Sequence, residues 1–390
     1  MCCFFTTLWL TANYVMHCKF LEHGLALSYD HVVKPCCEWD YNQDWAQRHK
    51  IDIVDLGTWH QHPDIVDARN KLANDIWPSS CVRCERQEQQ GRGDSVRLNG
   101  SQSYANYSQD DITLEIRPGN VCNFACQTCW PEASSRVTQF QSQAGMIAVE
   151  SVDSTSMTNF DFLLPVANRV KNVVLLGGEP FYDKNCLKFL DWATQHLTAN
   201  IILFTNGSHV NWDWVDQFPG KITMVFSIDA IGKPAEYIRF GTEWSTVYAN
   251  LQQAQSHPKL ELRVNITTSI YNYWYLDQVI YMLMANWPSV VSFGHPRELH
   301  LLESAVPPQH RPQLINRLQD AINKIKLSKI EYGQRYNARN VIQSILNNLQ
   351  QLEWDPVEFK KFKDYVGAMD RVKRIDIADY CPELADILKE

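Results

Sequence analysis

Between Ile112 and about His300 the chain alternates short β-rich runs with segments of helical periodicity, the pattern expected of parallel βα units. Six strands are predicted: Ile112–Arg117, Asn172–Leu176, Ile201–Thr205, Ile222–Ile228, Leu260–Ser269 and Val290–Gly294. Several are nearly continuous in apolar residues, as strands buried on both faces should be. Six such units with right-handed crossovers predict an α/β fold, a partial (β/α)6 barrel of the TIM kind over residues 106–300. The chain before it, residues 1–105, is irregular and dense in Cys and Trp, and it ends in a Gly/Ser/Asn-rich stretch, Gly91–Ser103, that reads as a linker. Residues 301–390 read as a helical extension, with Leu314, Leu318, Ile322 and Ile325 on one stripe and Ile342, Ile345, Leu349 and Leu352 on another.

Composition narrows the function classes. A formal charge of -8 and no long Lys/Arg tract leave no electrostatic footprint for nucleic acid or for an anionic membrane surface. The apolar stretch from Met1 to Met16 lacks a basic n-region and a small-residue cleavage site, which argues against a signal peptide; a start at Met16 is the other reading. The aromatic run from Tyr271 to Trp287 is too short and too polar to span a bilayer. Twelve cysteines in a chain of 390 residues do not look like the disulfide framework of a small secreted domain, so a reducing, cytoplasmic setting is expected.

In a βα barrel the chemistry gathers at the carboxyl ends of the strands, and there the informative residues fall. Cys122, Cys126 and Cys129 follow the first strand, Gly177-Gly178-Glu179-Pro180 the second, Asn206 the third, Ser227 and Asp229 the fourth, and Asn272 the fifth. Thiolates are soft ligands suited to iron–sulfur clusters, and a cubane normally takes four. Three on one loop suggest an iron left open for another ligand. A structural zinc site, or cysteines buried as small hydrophobes, would also explain such a loop. The Gly177–Pro180 turn read alone is an ordinary glycine-rich βα turn; two glycines also permit close backbone approach, and carbonyls with a carboxylate suit an ammonium.

The C-x3-C-x2-C loop and the GGEP turn, in this order and each at a strand end, resemble the radical S-adenosylmethionine superfamily. That resemblance implies a [4Fe-4S] cluster on Cys122, Cys126 and Cys129, with S-adenosylmethionine chelating its open iron and its methionine ammonium held at Gly177, Gly178, Glu179 and Pro180. It also implies cofactor contacts from Ser227 and Asp229, which otherwise read as a loop-capping pair. Arg239 would pair with the cofactor carboxylate, or else form a surface ion pair, and Asn206 would contact the cofactor or simply start an Asn-Gly turn. The residue before the third cysteine is often aromatic in the family and here is Thr128, so adenine contact would come from the Thr128 backbone or from Trp130. The implied activity is reductive cleavage of the cofactor to a 5′-deoxyadenosyl radical that abstracts hydrogen from a small-molecule or peptide substrate. An electron donor such as flavodoxin or ferredoxin would supply the reductant.

Cys18, Cys36, Cys81 and Cys84 form a second set around a stretch containing Gly24. Four soft ligands can hold a cluster or a tetrahedral zinc, and spacing alone does not choose. The set resembles a twitch domain, the shortened relative of SPASM that carries an auxiliary [4Fe-4S] cluster, here placed before the barrel and running into Glu88, Gly91, Ser95 and Arg97. Cys37 adjoins Cys36; Cys36 is favoured for its place after Pro35. Cys2, Cys3, Cys186 and Cys381 have no partners at ligand spacing, and Cys186 is expected in a helix packed on the barrel.

Three functions remain from the sequence: a two-cluster radical enzyme, a peptide- or protein-modifying enzyme of the SPASM/twitch type, and a non-enzymatic zinc-binding module. No catalytic acid or base is named. Tyr271, Asn272, His295 and His300 lie near strand ends, with His295 and Glu298 the candidates for substrate contact.

Overall fold

The computed structural model describes residues 16–89, 95–98, 104, 106–148, 156–286, 291–294, 296, 298–327 and 332–389. Gly91, His295, Cys2, Cys3, Val290 and most of the Gly91–Ser103 stretch lie outside the described residues. The chain forms two compact units. The smaller holds Val32–Thr113 with the segment ending at Ala26, and the larger holds Leu27–His31 with the chain from Leu114 onward.

In the smaller unit, a short helix, Phe20–His23, leads into the first three residues of β1 (Gly24–Ser28), and β2 (Val33–Lys34) lies further along the chain. Gly24 is required where these pieces meet, because a Cβ there would lie 2.0 Å from the carbonyl oxygen of Pro35. The contact draws the segment after Cys18 against the one that leads into Cys36. The helix Pro63–Ala73 buries Ile65, Ala68 and Leu72 at helical spacing, and the helix Val82–Gln89 carries Cys84 on its buried side.

The larger unit is built on β3 (Ile112–Arg117), β5 (Val170–Leu175), β6 (Asn200–Thr205), β7 (Ile222–Ser227), β9 (Leu260–Thr267) and β10 (Val291–Gly294). Two two-residue strands, β4 (Ala125–Cys126) and β8 (Arg239–Phe240), pair antiparallel apart from them. The spatial order β10-β9-β7-β6-β5-β3 follows the chain without a reversal, as a partial (β/α)6 barrel requires. The pairs β5/β6, β6/β7, β7/β9 and β9/β10 are parallel, with Val173 opposite Ile201, Leu203 opposite Met224 and Val264 opposite Val291.

Of these strands β7 is the most continuously buried, whereas β6 and β9 alternate buried and half-buried positions. Strand ends differ from the sequence expectation by one or two residues. The runs Ile222–Ile228 and Leu260–Ser269 are longer than β7 and β9, because Ile228, Thr268 and Ser269 are buried in the loops beyond the ladder.

Outer helices cover the sheet through apolar stripes. Lys184–His196, capped by Asp183, buries Cys186, Phe189, Leu190 and Ala193, and Trp244–Ser256 buries Val247, Leu251 and Ala254. The helices Arg311–Leu327 and Tyr332–Gln351 pack on each other, and Leu314, Leu318, Ile322 and Ile325 on the first and Ile342, Ile345 and Leu349 on the second are buried. Leu352 departs from its expected stripe: it follows the helix end and is 43% exposed. Pro356–Lys373 starts at Asp355, whose carboxylate accepts from the Val357 and Glu358 amides, and stops at Arg374 in the left-handed conformation. Its buried stripe of Phe359, Phe362, Val366 and Met369 contributes roughly 1.5–3 kcal/mol per side chain. Among the described residues no helix is long and apolar enough to cross a membrane.

Candidate active site

The loop after β3 is held at several points by its own backbone and by neighbouring elements. The Ser135 hydroxyl accepts from the Cys122 amide at 3.2 Å, and the Ser134 hydroxyl donates to the Phe124 carbonyl at 3.0 Å. Ala125 and Cys126 pair with Phe240 and Arg239 across β4/β8, and the Gln127 amide donates to the Ile238 carbonyl. The Lys373 ammonium donates to the Ala125 carbonyl at 2.9 Å. Cys122, Phe124 and Cys126 pack as one buried cluster with Cys129 against it.

The turn after β5 is pressed onto this loop. A Cβ at Gly178 would lie 2.2 Å from the Val121 carbonyl oxygen and 2.5 Å from that of Asn120. The close approach that two glycines predict is therefore made, and the group approached is the backbone leading into Cys122. The Glu179 amide donates to the Val121 carbonyl, while Asp183 accepts from the Val121 amide and caps its own helix at Asn185.

Glu179 is 1% exposed. Its carboxylate accepts from the Thr205 hydroxyl and the Asn206 amide, both at 2.7 Å, which fixes its orientation. Burial pushes its pKa up to about 7, against the pull of these hydrogen bonds. Asn206 starts a turn in which Gly207 has φ +75°, and its side chain also donates to Asn123 Oδ1 at 2.9 Å, so the turn ties the third strand end to the cysteine loop.

Arg239 pairs with Asp229 at 2.9 Å. The pair is not a surface one, since Asp229 is fully buried and also accepts from the Thr267 amide. Burial disfavours the arginine's charge, but negative charge at Cys126 and the Asp229 carboxylate raise its pKa, so it stays charged.

These pieces enclose a cavity of about 300 Å³. Cys122, Cys126, Cys129, Thr128, Gly177, Gly178, Glu179, Asn206, Ser227 and Arg239 all line it, as does Trp130. Its wall draws on the carboxyl end of every strand of the series, from Arg117 at the end of β3 to Thr267 on β9 and Pro296 after β10. Pro180 and Asp229 do not line it; the latter lies behind Arg239 and holds it.

Other candidates fall elsewhere. Tyr271 and Asn272 are fully buried in packing, and the Asn272 amide is spent on the Asp229 and Thr267 carbonyls. His300 stands beside Tyr365, and Glu298 is exposed. Thr205, Thr267 and Lys373 were not legible as site residues. The first two carried a weak signal, Thr205 as the last residue of a predicted strand and Thr267 as a residue near the end of another; Lys373 carried none, since it lies 248 positions from its partner.

The three thiols suit a cluster chemically. All are free of disulfides, and burial pushes their pKa values up, that of Cys129 to about 12, with Cys126 adding to the rise at Cys122 and Cys129. Thiolates can persist together here only beside a cation that neutralises them.

The second cysteine set also converges. Cys18, Cys36, Cys81 and Cys84 line one small cavity with Trp39, Trp77 and Arg97, and Cys37 is not among its walls. Burial pushes Cys18 up to about 11 and Cys36 well above its ordinary value. Beside them Glu88 accepts from the Ser95 hydroxyl at 2.6 Å and from Arg97 in a two-pronged pair, and Arg97 also donates to the His17 carbonyl. Cys186 and Cys381 are buried singly.

Among the described residues, neither set places three sulfurs within 4.8 Å of one another.

No family model matches the chain, and no curated protein does. Solved structures with partial likeness include anSMEcpe with bound AdoMet, at 16% identity and a TM-score of 0.39 over 55% of this chain and 61% of that one. Streptococcus suis SuiB bound to its precursor peptide SuiA gives 14% identity and a TM-score of 0.37 over 63% and 60%. TYW1 with a lysine-pyruvate adduct bound gives 14% and 0.34 over 62% and 82%. The chain thus spans about three-fifths of the length of the first of these.

Proposed function

We propose that the chain is a radical S-adenosylmethionine enzyme. The observation that carries this reading is the shared cavity: Cys122, Cys126 and Cys129 line the same walls as Gly177, Gly178 and Glu179, with Arg239 on another side. A zinc module would give no reason for a carboxylate, an arginine and a glycine turn to face three cysteines at one barrel mouth.

In this reading Cys122, Cys126 and Cys129 hold a [4Fe-4S] cluster, and Glu179, Gly177 and Gly178 receive the ammonium of S-adenosylmethionine. When bound and reduced, that pair of cofactors supplies a 5′-deoxyadenosyl radical able to abstract hydrogen from substrate. The protein's own contribution is placement. Thr205 and Asn206 fix the Glu179 carboxylate, Asp229 fixes the Arg239 fork for the cofactor carboxylate, and Thr128 or Trp130 meets the adenine. A cavity of about 300 Å³ sits at the small end of ligand pockets, so one cofactor would occupy most of it. A small molecule or a peptide would then present its reacting carbon at the mouth.

Cys18, Cys36, Cys81 and Cys84 are assigned an auxiliary [4Fe-4S] cluster. With four protein ligands it would accept or relay an electron after hydrogen abstraction. A flavodoxin or ferredoxin in a reducing cytoplasm would feed the first cluster.

The test is anaerobic reconstitution with iron and sulfide, reduction in the presence of S-adenosylmethionine, and mass-spectrometric assay for 5′-deoxyadenosine. Product should appear with the native chain and not with Cys126→Ala. A colourless protein with stoichiometric zinc, or an iron-loaded chain that makes no 5′-deoxyadenosine, overturns the reading.

A further inference from the structure

Apart from both cysteine sets, the smaller unit gathers three ligand-type side chains that the proposed chemistry leaves unused. His49 ends the helix Gln43–Arg48, His62 caps the helix Pro63–Ala73, and Asp64 stands in the first turn of the latter. One ligand atom from each lies within 4.8 Å of the others.

His49 is fully buried, stacked on Trp45 at 3.7 Å between ring centroids and set edge-on to Trp59. Its Nδ1 is 2.9 Å from the Trp45 carbonyl oxygen. A carbonyl only accepts, so Nδ1 carries the proton, and in the neutral ring Nε2 carries a lone pair. That Nε2 has no hydrogen-bond partner, yet it stands 3.0 Å from Asp64 Oδ2. In the neutral ring two acceptors face each other, one fully buried and one 34% exposed, an arrangement that a proton or a metal cation between them relieves. His62 Nδ1 is 3.8 Å from the same oxygen.

We propose that His49, His62 and Asp64 form a zinc site. Two imidazoles and a carboxylate are a borderline donor set that suits Zn²⁺, and a histidine whose other ring nitrogen donates to a backbone carbonyl is oriented as metal-binding histidines are. His62 and Asp64 have side chains 29% and 34% exposed, which leaves the fourth position to water. Arg48 donates to Asp64 Oδ2 at 2.7 Å, but it also holds Asp44 through two nitrogens, at 3.1 and 3.0 Å. It can keep that second anchor while Asp64 turns to the metal.

The full chain, loaded anaerobically with iron, is titrated with Zn²⁺ and separately with Co²⁺. One zinc per chain should bind beyond the iron, and the cobalt spectrum should show nitrogen and oxygen ligation without a thiolate charge-transfer band. His62→Asn, which keeps an oxygen acceptor for the helix cap, and Asp64→Asn should each weaken binding at least tenfold with iron content unchanged. No uptake, uptake undiminished in both variants, or a thiolate band overturns the proposal.

Discussion

The Lys373 ammonium, on the last long helix, donates to the carbonyl oxygen of Ala125 inside the cysteine loop at 2.9 Å. It is 6% exposed and packs over the Phe240 and Phe140 rings. Burial draws its pKa down to about 8, outweighing the attraction of Cys126 and Asp370. The surroundings thus disfavour the charge that they keep, which marks the lysine as serving the loop more than the fold.

Lys373→Met is accordingly expected to change unfolding free energy by no more than about 1 kcal/mol, because the lost hydrogen bond and the relieved charge burial offset each other. Removing a cation beside the cluster proposed for this loop should lower its midpoint potential by about 50 mV, roughly 1 kcal/mol for one electron. Potentiometric titration followed by paramagnetic resonance measures this directly. A potential equal to that of the native chain at pH 7 would refute the assignment.

Glu179 gives a pH dependence. Its pKa in the fold is raised to about 7 from an ordinary value near 4.5, so between these values the folded chain binds more protons than the unfolded one. The associated stability is complete below about 4.5 and is lost as pH rises through about 7. In the iron-free protein, the stability of the native chain relative to Glu179→Gln should fall by on the order of 3 kcal/mol over that window. Denaturant unfolding at a series of pH values reads the slope, and a flat difference would show that the carboxyl is not buried as described.

Gly178→Ala tests the docking of the turn on the loop. The added methyl would meet the Val121 and Asn120 carbonyls at 2.2 and 2.5 Å, and both are backbone, so neither can swing away. A loss of at least about 2–3 kcal/mol is expected from overpacking, together with reduced iron retention at the barrel. Gly367→Ala, where a Cβ meets nothing nearer than the flexible Arg371 side chain at 3.6 Å, is the control.

Cys36 and Cys37 should separate cleanly. Since Cys36 lines the cavity with Cys18, Cys81 and Cys84 and Cys37 does not, Cys36→Ala should cost about four irons per chain, one cubane. Cys37→Ala should keep them. Iron and sulfide analysis after anaerobic reconstitution decides, and the reverse result would move the ligand to Cys37.

The alternation of β-rich and helical runs was enough to predict the α/β architecture and the chain-ordered strands, because buried parallel strands and amphipathic helices leave distinct periods in the sequence. The three loop cysteines and the glycine turn were legible for a related reason: each group lies in the loop directly after a predicted strand and has a fixed local spacing, and that spacing carries the signal. Leu352 shows the limit of that signal. Its helical phase is right, but the helix stops one residue before it, and helix ends depend on capping and packing more than on period.

What the sequence by itself determined is the chemistry available: two sets of soft ligands, a carboxylate and an arginine at strand ends, and a fold able to gather them. Only the tertiary structure decided that Asp229 stands behind Arg239, that Gly178 makes room for the loop's own backbone, that Lys373 reaches Ala125, and that His49 Nε2 and Asp64 Oδ2 meet at 3.0 Å. These relations join residues as far as 248 positions apart. Their distances are set by side-chain packing and hydrogen bonding across the fold, which leave no periodic trace along the chain.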